Sequence, residues 1–192
     1  MKRHEVPFAF LSLSLLALLS SCASSAPALA PGSPPEVKVA ILDQAAIIKR
    51  FGQAHQGNPY LEPRGVFSGK AEEFVVVAAD FLASGSEVAT IEARVEDQSG
   101  APVATSRDIR YLKELWDRNK VVDQKVNNRR LNTLDRSYVP GGLIKLRKGA
   151  TSYILVLSGS FPLERPAKVV VELTVTGLGR QVFEFELPAA VK

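Results

Sequence analysis

The residues best suited to catalysis are few in this 192-residue chain, and their spacing does not bring them together. A serine or cysteine nucleophile needs a base to activate it. The two histidines are His4, inside an apolar leader, and His55, in a polar loop where it reads as a surface residue. One body histidine cannot build a histidine-rich zinc site, and no HExxH is present. Glu184 and Glu186 share a strand face that Glu172 could join, and paired carboxylates are the equipment of glycoside hydrolysis. Alternation along a solvent-facing strand explains all three equally well. Asp80 interrupts an apolar run, so it is expected at a strand end or paired with a buried Arg or Lys. Asp97-Gln98-Ser99-Gly100 lacks the acidic density of a calcium loop. Gly141-Gly142 and Gly177-Leu178-Gly179 read as turns rather than a phosphate cradle. The expectation is a protein with no catalytic residues, no metal and no cofactor, hence not an enzyme.

The remaining reactive group is the thiol of Cys22. It is the only cysteine, which excludes an intramolecular disulfide. Its context is specific. Lys2 and Arg3 precede an apolar run over residues 6–19 broken only by Ser12 and Ser14, and small residues follow, the order of a secretory signal. About 14 apolar residues fall short of the ~20 that a helix needs to cross a bilayer. Leu19-Ser20-Ser21-Cys22, directly after that run, resembles the lipobox of bacterial lipoproteins. The resemblance covers about the first 25 residues and says nothing of the rest. It implies a diacylglyceryl thioether on Cys22, cleavage just before it and acylation of the new amine. Ala23 rather than Asp at the following position implies outer-membrane sorting in a Gram-negative cell. The alternative is an ordinary signal peptide cut within residues 23–30. A single acyl chain holds weakly, at about 0.8 kcal/mol per buried CH₂, whereas two or three anchor durably.

Loss of residues 1–21 removes Lys2, Arg3 and Glu5 and leaves 22 basic against 19 acidic residues, a net charge of +3. That is too small to imply a nucleic-acid partner. The expected partners are the membrane, through lipid on Cys22, and another envelope protein.

The elements that would carry these residues are mostly strands. Residues 22–35 hold little but Ala, Ser, Pro and Gly and read as a flexible lipidated tether. Residues 36–192 are long enough for one core. Ser33-Pro34-Pro35-Glu36 resembles a helix start, and Val37, Ile41, Ala45 and Ile48 follow at helical spacing towards Gly52. A single N-terminal helix is favoured over a strand at 37–42 followed by a short helix at 43–51. Residues 74–82 suit a strand buried on both faces, and 88–96 alternate cleanly before the turn at Asp97–Gly100 and a returning strand at 101–105. Further strands fall at 143–147, 152–158, 168–176 and 181–187. In the last, Phe183, Phe185 and Leu187 point inward and Glu184 and Glu186 outward. The expected fold is mainly β, an antiparallel β-sandwich, immunoglobulin-like in general shape, with an N-terminal helix and a helical insert at 106–140.

The insert breaks the β pattern. Residues 107–118 form an amphipathic helix with Ile109, Leu112, Leu115 and Trp116 on one side, but the period fails at 119–123 and none is evident over 121–138. Residues 107–136 carry nine basic and five acidic side chains. One reading is a contact surface containing Arg110, Trp116, Arg129 and Arg130. The other is a helix that covers one end of the sandwich, with Trp116 in the core. The function expected is a non-catalytic interaction or structural role in the cell envelope. The alternative is a tethered binding module for a small glycan or lipid, using the face near the insert.

Overall fold

The computed structural model describes residues 29–61, 74–118, 123–159 and 166–187; residues 1–21, read above as an export signal, and Cys22 lie outside them. Eight strands form a mainly antiparallel β-sandwich: β1 (Glu36–Leu42), β2 (Val75–Ala83), β3 (Glu87–Glu96), β4 (Pro102–Ser106), β5 (Gly142–Leu146), β6 (Gly149–Gly159), β7 (Ala167–Val175) and β8 (Gly179–Leu187). They hydrogen-bond in the order β1-β2-β6-β4-β3-β7-β8, with β5 also on β3. β4 joins the two halves. Val95 and Glu96 pair with it across a register shift, and its residues 104–106 pair with 157–159 of β6. A strand that turns a corner at such an irregularity lets one sheet fold over itself.

The space between the halves is filled by alternate residues, as period-two patterning requires. Val75, Val77, Ala79 and Phe81 of β2 and Leu155 and Leu157 of β6 meet Ile91 and Val95 of β3 and Val169, Val171 and Leu173 of β7. Phe183, Phe185 and Leu187 of β8 pack inward at the margin, half-buried, and Glu184 and Glu186 face out, as the alternation predicts.

Residues β2 and β6 are apolar on both faces because a second layer covers their outer side. That layer comprises α1 (Gln44–Phe51), a 3₁₀ turn (Ala54–Gln56), α2 (Ile109–Arg118) and α3 (Gln124–Ser137). Val76, Ala78, Ile154 and Val156 meet Ile47, Tyr60, Leu112, Trp116, Leu134 and Tyr138 there. The insert between β4 and β5 stands on β6 at both ends. Arg107 N donates to Val156 O at 3.2 Å and Val139 N to Ile154 O at 2.9 Å. The Tyr138 hydroxyl donates to Arg107 O, closing the base.

Two sequence readings require correction. The favoured N-terminal helix is a strand followed by a helix: Glu36–Leu42 pairs along β2, and the helix begins only after Asp43. The cap is Asp43, whose carboxylate accepts from Ala46 N at 2.7 Å, and not Ser33. The dense β-branched residues Val37, Val39 and Ile41 gain more by packing on the sandwich core than a lone helix turn could offer. Second, residues 124–137 are a helix where no period was evident. Asp123 caps it by accepting from Lys125 N at 2.8 Å. Its inward positions include Arg130 beside Leu134, and a basic residue on the buried face hides the apolar stripe.

Candidate functional site

Where α1 ends, the helical layer leaves part of the sheet uncovered. On that face β1, β2 and β6 place side chains in rows. Lys38, Asp80 and Ser152 form one row by register, and Glu36, Leu82 and Ala150 the next. The basic residues Lys49 and Arg50 stand in the last turn of α1, complementing its C-terminal dipole. Gly52, at φ +80°, ends the helix, as the sequence suggests. The result is a cleft of about 600 Å³ lined by Leu42, Ala46 and Phe81 together with Lys49, Arg50, Asp80 and Ser152.

The polar members are organised around Arg50. Its guanidinium reaches the Asp80 carboxylate at 2.5 and 3.3 Å and also donates to the Ser152 hydroxyl. Partial burial of Asp80 pushes its carboxyl pKa up. Hydrogen bonds from Arg50 and Ser152, with the charges of Arg50 and Lys38, outweigh that effect and hold it below the usual carboxylate range. Asp80 thus has a basic partner, but Arg50 is exposed and not the buried Arg or Lys expected; Lys49 lines the same cleft. This arrangement can bind an anion against an apolar wall.

The residues proposed for a contact surface separate into two environments. Arg110 and Arg129 are exposed on α2 and α3. Trp116 and Arg130 come together but inside: they are 5% and 4% exposed, and the guanidinium lies 3.9 Å from the indole centroid. Trp116 Nε1 donates to Pro59 O at 3.0 Å, and Arg130 Nη2 to Ala54 O at 3.1 Å. These two side chains hold the segment after α1 onto the helical layer, as the core reading of Trp116 requires. Asn58, fully buried, serves the same segment by donating to Gly52 O at 2.6 Å and accepting from Tyr60 N at 2.9 Å. The Tyr60 hydroxyl bonds Ser137 Oγ at 2.7 Å, and burial raises its pKa well above the ordinary phenol value.

Among protein-family models none matches this chain, and no curated protein matches it. Among solved structures it is similar to the cupredoxin domain of amoB from Nitrosocaldus yellowstonii. That similarity has 14% identity and a TM-score of 0.36, and it covers 84% of this chain and 90% of that domain. It is too loose to carry any property of that domain across.

The remaining candidate acids belong to the outer face of the β3–β7–β8 half. Glu172 accepts from Arg94 at 2.7 Å and Arg180 at 2.5 Å, and those bonds lower its pKa. Glu184 pairs with Lys168 at 3.1 Å. Asp97 closes its turn by accepting from Ser99 and Ala101. His55 is exposed on the 3₁₀ turn. Sequence reasoning noticed Asp80 but missed Lys38, Lys49, Arg50 and Ser152 as its neighbours. The basic pair ending an amphipathic segment was visible; that β1 and β6 flank β2 was not.

Proposed function

We propose that this protein is a lipid-anchored component of the bacterial cell envelope with a non-catalytic interaction or structural role. The observation that carries this reading is Leu19-Ser20-Ser21-Cys22 directly after a short apolar run. Cys22 bears the diacylglyceryl group, and the anchored membrane is the outer one where the cell has two. The body supports the non-catalytic part of the reading, because Asp80, Asp97, Glu172 and Glu184 are engaged in structural hydrogen bonds. A buried general acid at a catalytic site is instead expected to keep a free path to its substrate. Arg110 and Arg129 are the exposed members of the insert available to a protein partner. Metabolic labelling with an alkyne fatty acid tests the anchor: the native chain incorporates label and Cys22→Ser does not. Equal labelling of the two, or unchanged membrane fractionation of the variant, refutes it.

A second reading, a tethered module for a small lipid or glycan ligand, is favoured by one observation. The cleft beside α1 has the volume, apolar wall and few polar groups of a small-molecule site.

A further inference from the structure

We infer that the cleft at the end of α1 binds an anionic amphiphile, a single-chain acyl carboxylate drawn from the bilayer to which the protein is anchored. The inference rests on the ligand-binding reading and on the anchor at Cys22, and it names the ligand class and its source.

Three observations converge on it. The first is the division of the walls. Leu42, Ala46 and Ala150 supply apolar surface, while the polar groups Lys49, Arg50, Asp80 and Ser152 share the same cleft. A ligand that satisfies both must carry an apolar body and a polar head.

The second is charge. Arg50 is committed to Asp80 and Ser152. Neither Lys49 nor Lys38 forms an ion pair among the described residues. Lys38 stands opposite Asp80 in register, close enough for its charge to act on that carboxylate. The cleft lining thus holds two cations, Lys49 and Arg50, against the one carboxylate of Asp80. The excess is one positive charge, which matches a monoanionic head. Arg50 retains further N–H donors at that point, and a guanidinium can donate to a second carboxylate without releasing the first.

The third is position. The chain joins the body at this end of the sandwich. Ser84 Oγ donates to Ser33 O at 2.8 Å, Pro35 is buried, and Glu36 pairs with Leu82 beside Ala150 of the cleft wall. From Cys22 to Glu36 is 14 residues. Fully extended they reach about 50 Å, and as a flexible coil they average about 20 Å. The cleft is thus held near the anchoring bilayer, where single-chain acyl anions partition, instead of at the far end of the body.

The test uses the full lipidated chain, purified from membranes into phosphatidylcholine nanodiscs and photolabelled with diazirine-bearing decanoate, with labelled peptides mapped by mass spectrometry. Label is expected on peptides carrying residues 42–50 and 150–152. Excess decanoate should compete it, and neither decyl maltoside nor inorganic phosphate should. Ala46→Trp fills the cleft and should abolish labelling there. Lys49→Glu, at an exposed helix position that leaves the fold alone, should lower it about fivefold. Circular dichroism confirms that both variants are folded. Competition by decyl maltoside equal to that by decanoate overturns the anion preference while leaving a ligand-binding cleft. Competition by phosphate overturns the amphiphile in favour of a simple anion. Absence of label at these peptides, or label unaffected by both variants, overturns the cleft as a ligand site, and the anchor remains to be judged by its own labelling experiment.

Discussion

The two faces of the β2–β6 pair are buried by different means. Towards the sandwich interior the partners are Val, Ile, Leu, Ala and Phe, and no polar group is required for the halves to meet. Towards the helices the buried set includes Tyr60, Trp116 and Tyr138, with Asn58 and Arg130 among them. Each of these makes a directed hydrogen bond: Tyr60 with Ser137, Trp116 to Pro59, Arg130 to Ala54, Tyr138 to Arg107 and, within its own segment, Asn58 to Gly52. Strands satisfy their backbone by pairing. The segment 52–61 has no strand partner, so local backbone turns satisfy part of it and side chains supply further bonds, because burying a polar group without a partner is costly. An apolar interface tolerates small shifts, whereas one built from directed bonds depends on individual residues.

That difference can be broken most forcefully at Trp116. Trp116→Ala removes a large buried ring and leaves Pro59 O and the Arg130 guanidinium without their partner. We expect a loss of about 3–5 kcal/mol in chemical denaturation. Leu155→Ala in the sandwich core should cost about 2–5 kcal/mol. Hydrogen exchange separates the two: the tryptophan variant should expose residues 52–61 and the helices first, and the leucine variant the strands. Uniform loss of protection in both would show that the two layers unfold as one.

Asn58→Ala should cost about 2 kcal/mol, since it deletes bonds to buried backbone that nothing else can replace. Gly57→Ala tests the same segment by crowding. Gly57 has φ +95°, and an added Cβ would lie 2.8 Å from Arg129 Cβ. We expect a loss of about 1–3 kcal/mol, measured as a lowered denaturation midpoint. A neutral result at either position would mean that the helical layer is less dependent on individual residues than the sandwich.

The smallest effects belong to exposed ion pairs. Asp80 and Glu172 both have lowered pKa values in the folded state. A depressed carboxylate stabilises the fold above its unfolded pKa, near ~4, and that contribution is lost as pH falls through the lower folded value. Asp80→Asn should therefore cost at most about 1 kcal/mol at neutral pH, because the pair is a third to a half exposed, and the deficit should vanish in strong acid. A deficit that persists at pH 2 would assign the effect to packing rather than charge.

The contrast between the faces also explains what could be read early. Strands β3, β7 and β8 announce themselves because one residue in two must enter an apolar interior, β2 because it is buried on both faces, and Asp97 and the glycines of 177–179 mark the turns after β3 and β7. Helix α3 does not, because its buried face includes Arg130, which behaves as a core residue only when Trp116 is beneath it. The strand at 36–42 was ambiguous, since Val37 and Ile41 fit either period until β2 is available to pair with them. The same holds for the cleft: Asp80 stood out as an acid in an apolar run, but Arg50 and Ser152 are 30 and 72 positions away in the chain.

Local patterning along the chain therefore determined the predominance of strands, and it is the ground on which an export signal ending at the single cysteine is proposed, because each depends on neighbours in sequence. Which exposed cations share a cleft, and which basic and aromatic residues of the insert turn inward, was decided only when β1 and β6 closed on either side of β2. Both are consequences of pairing between distant segments, and no periodicity within one segment encodes its partner.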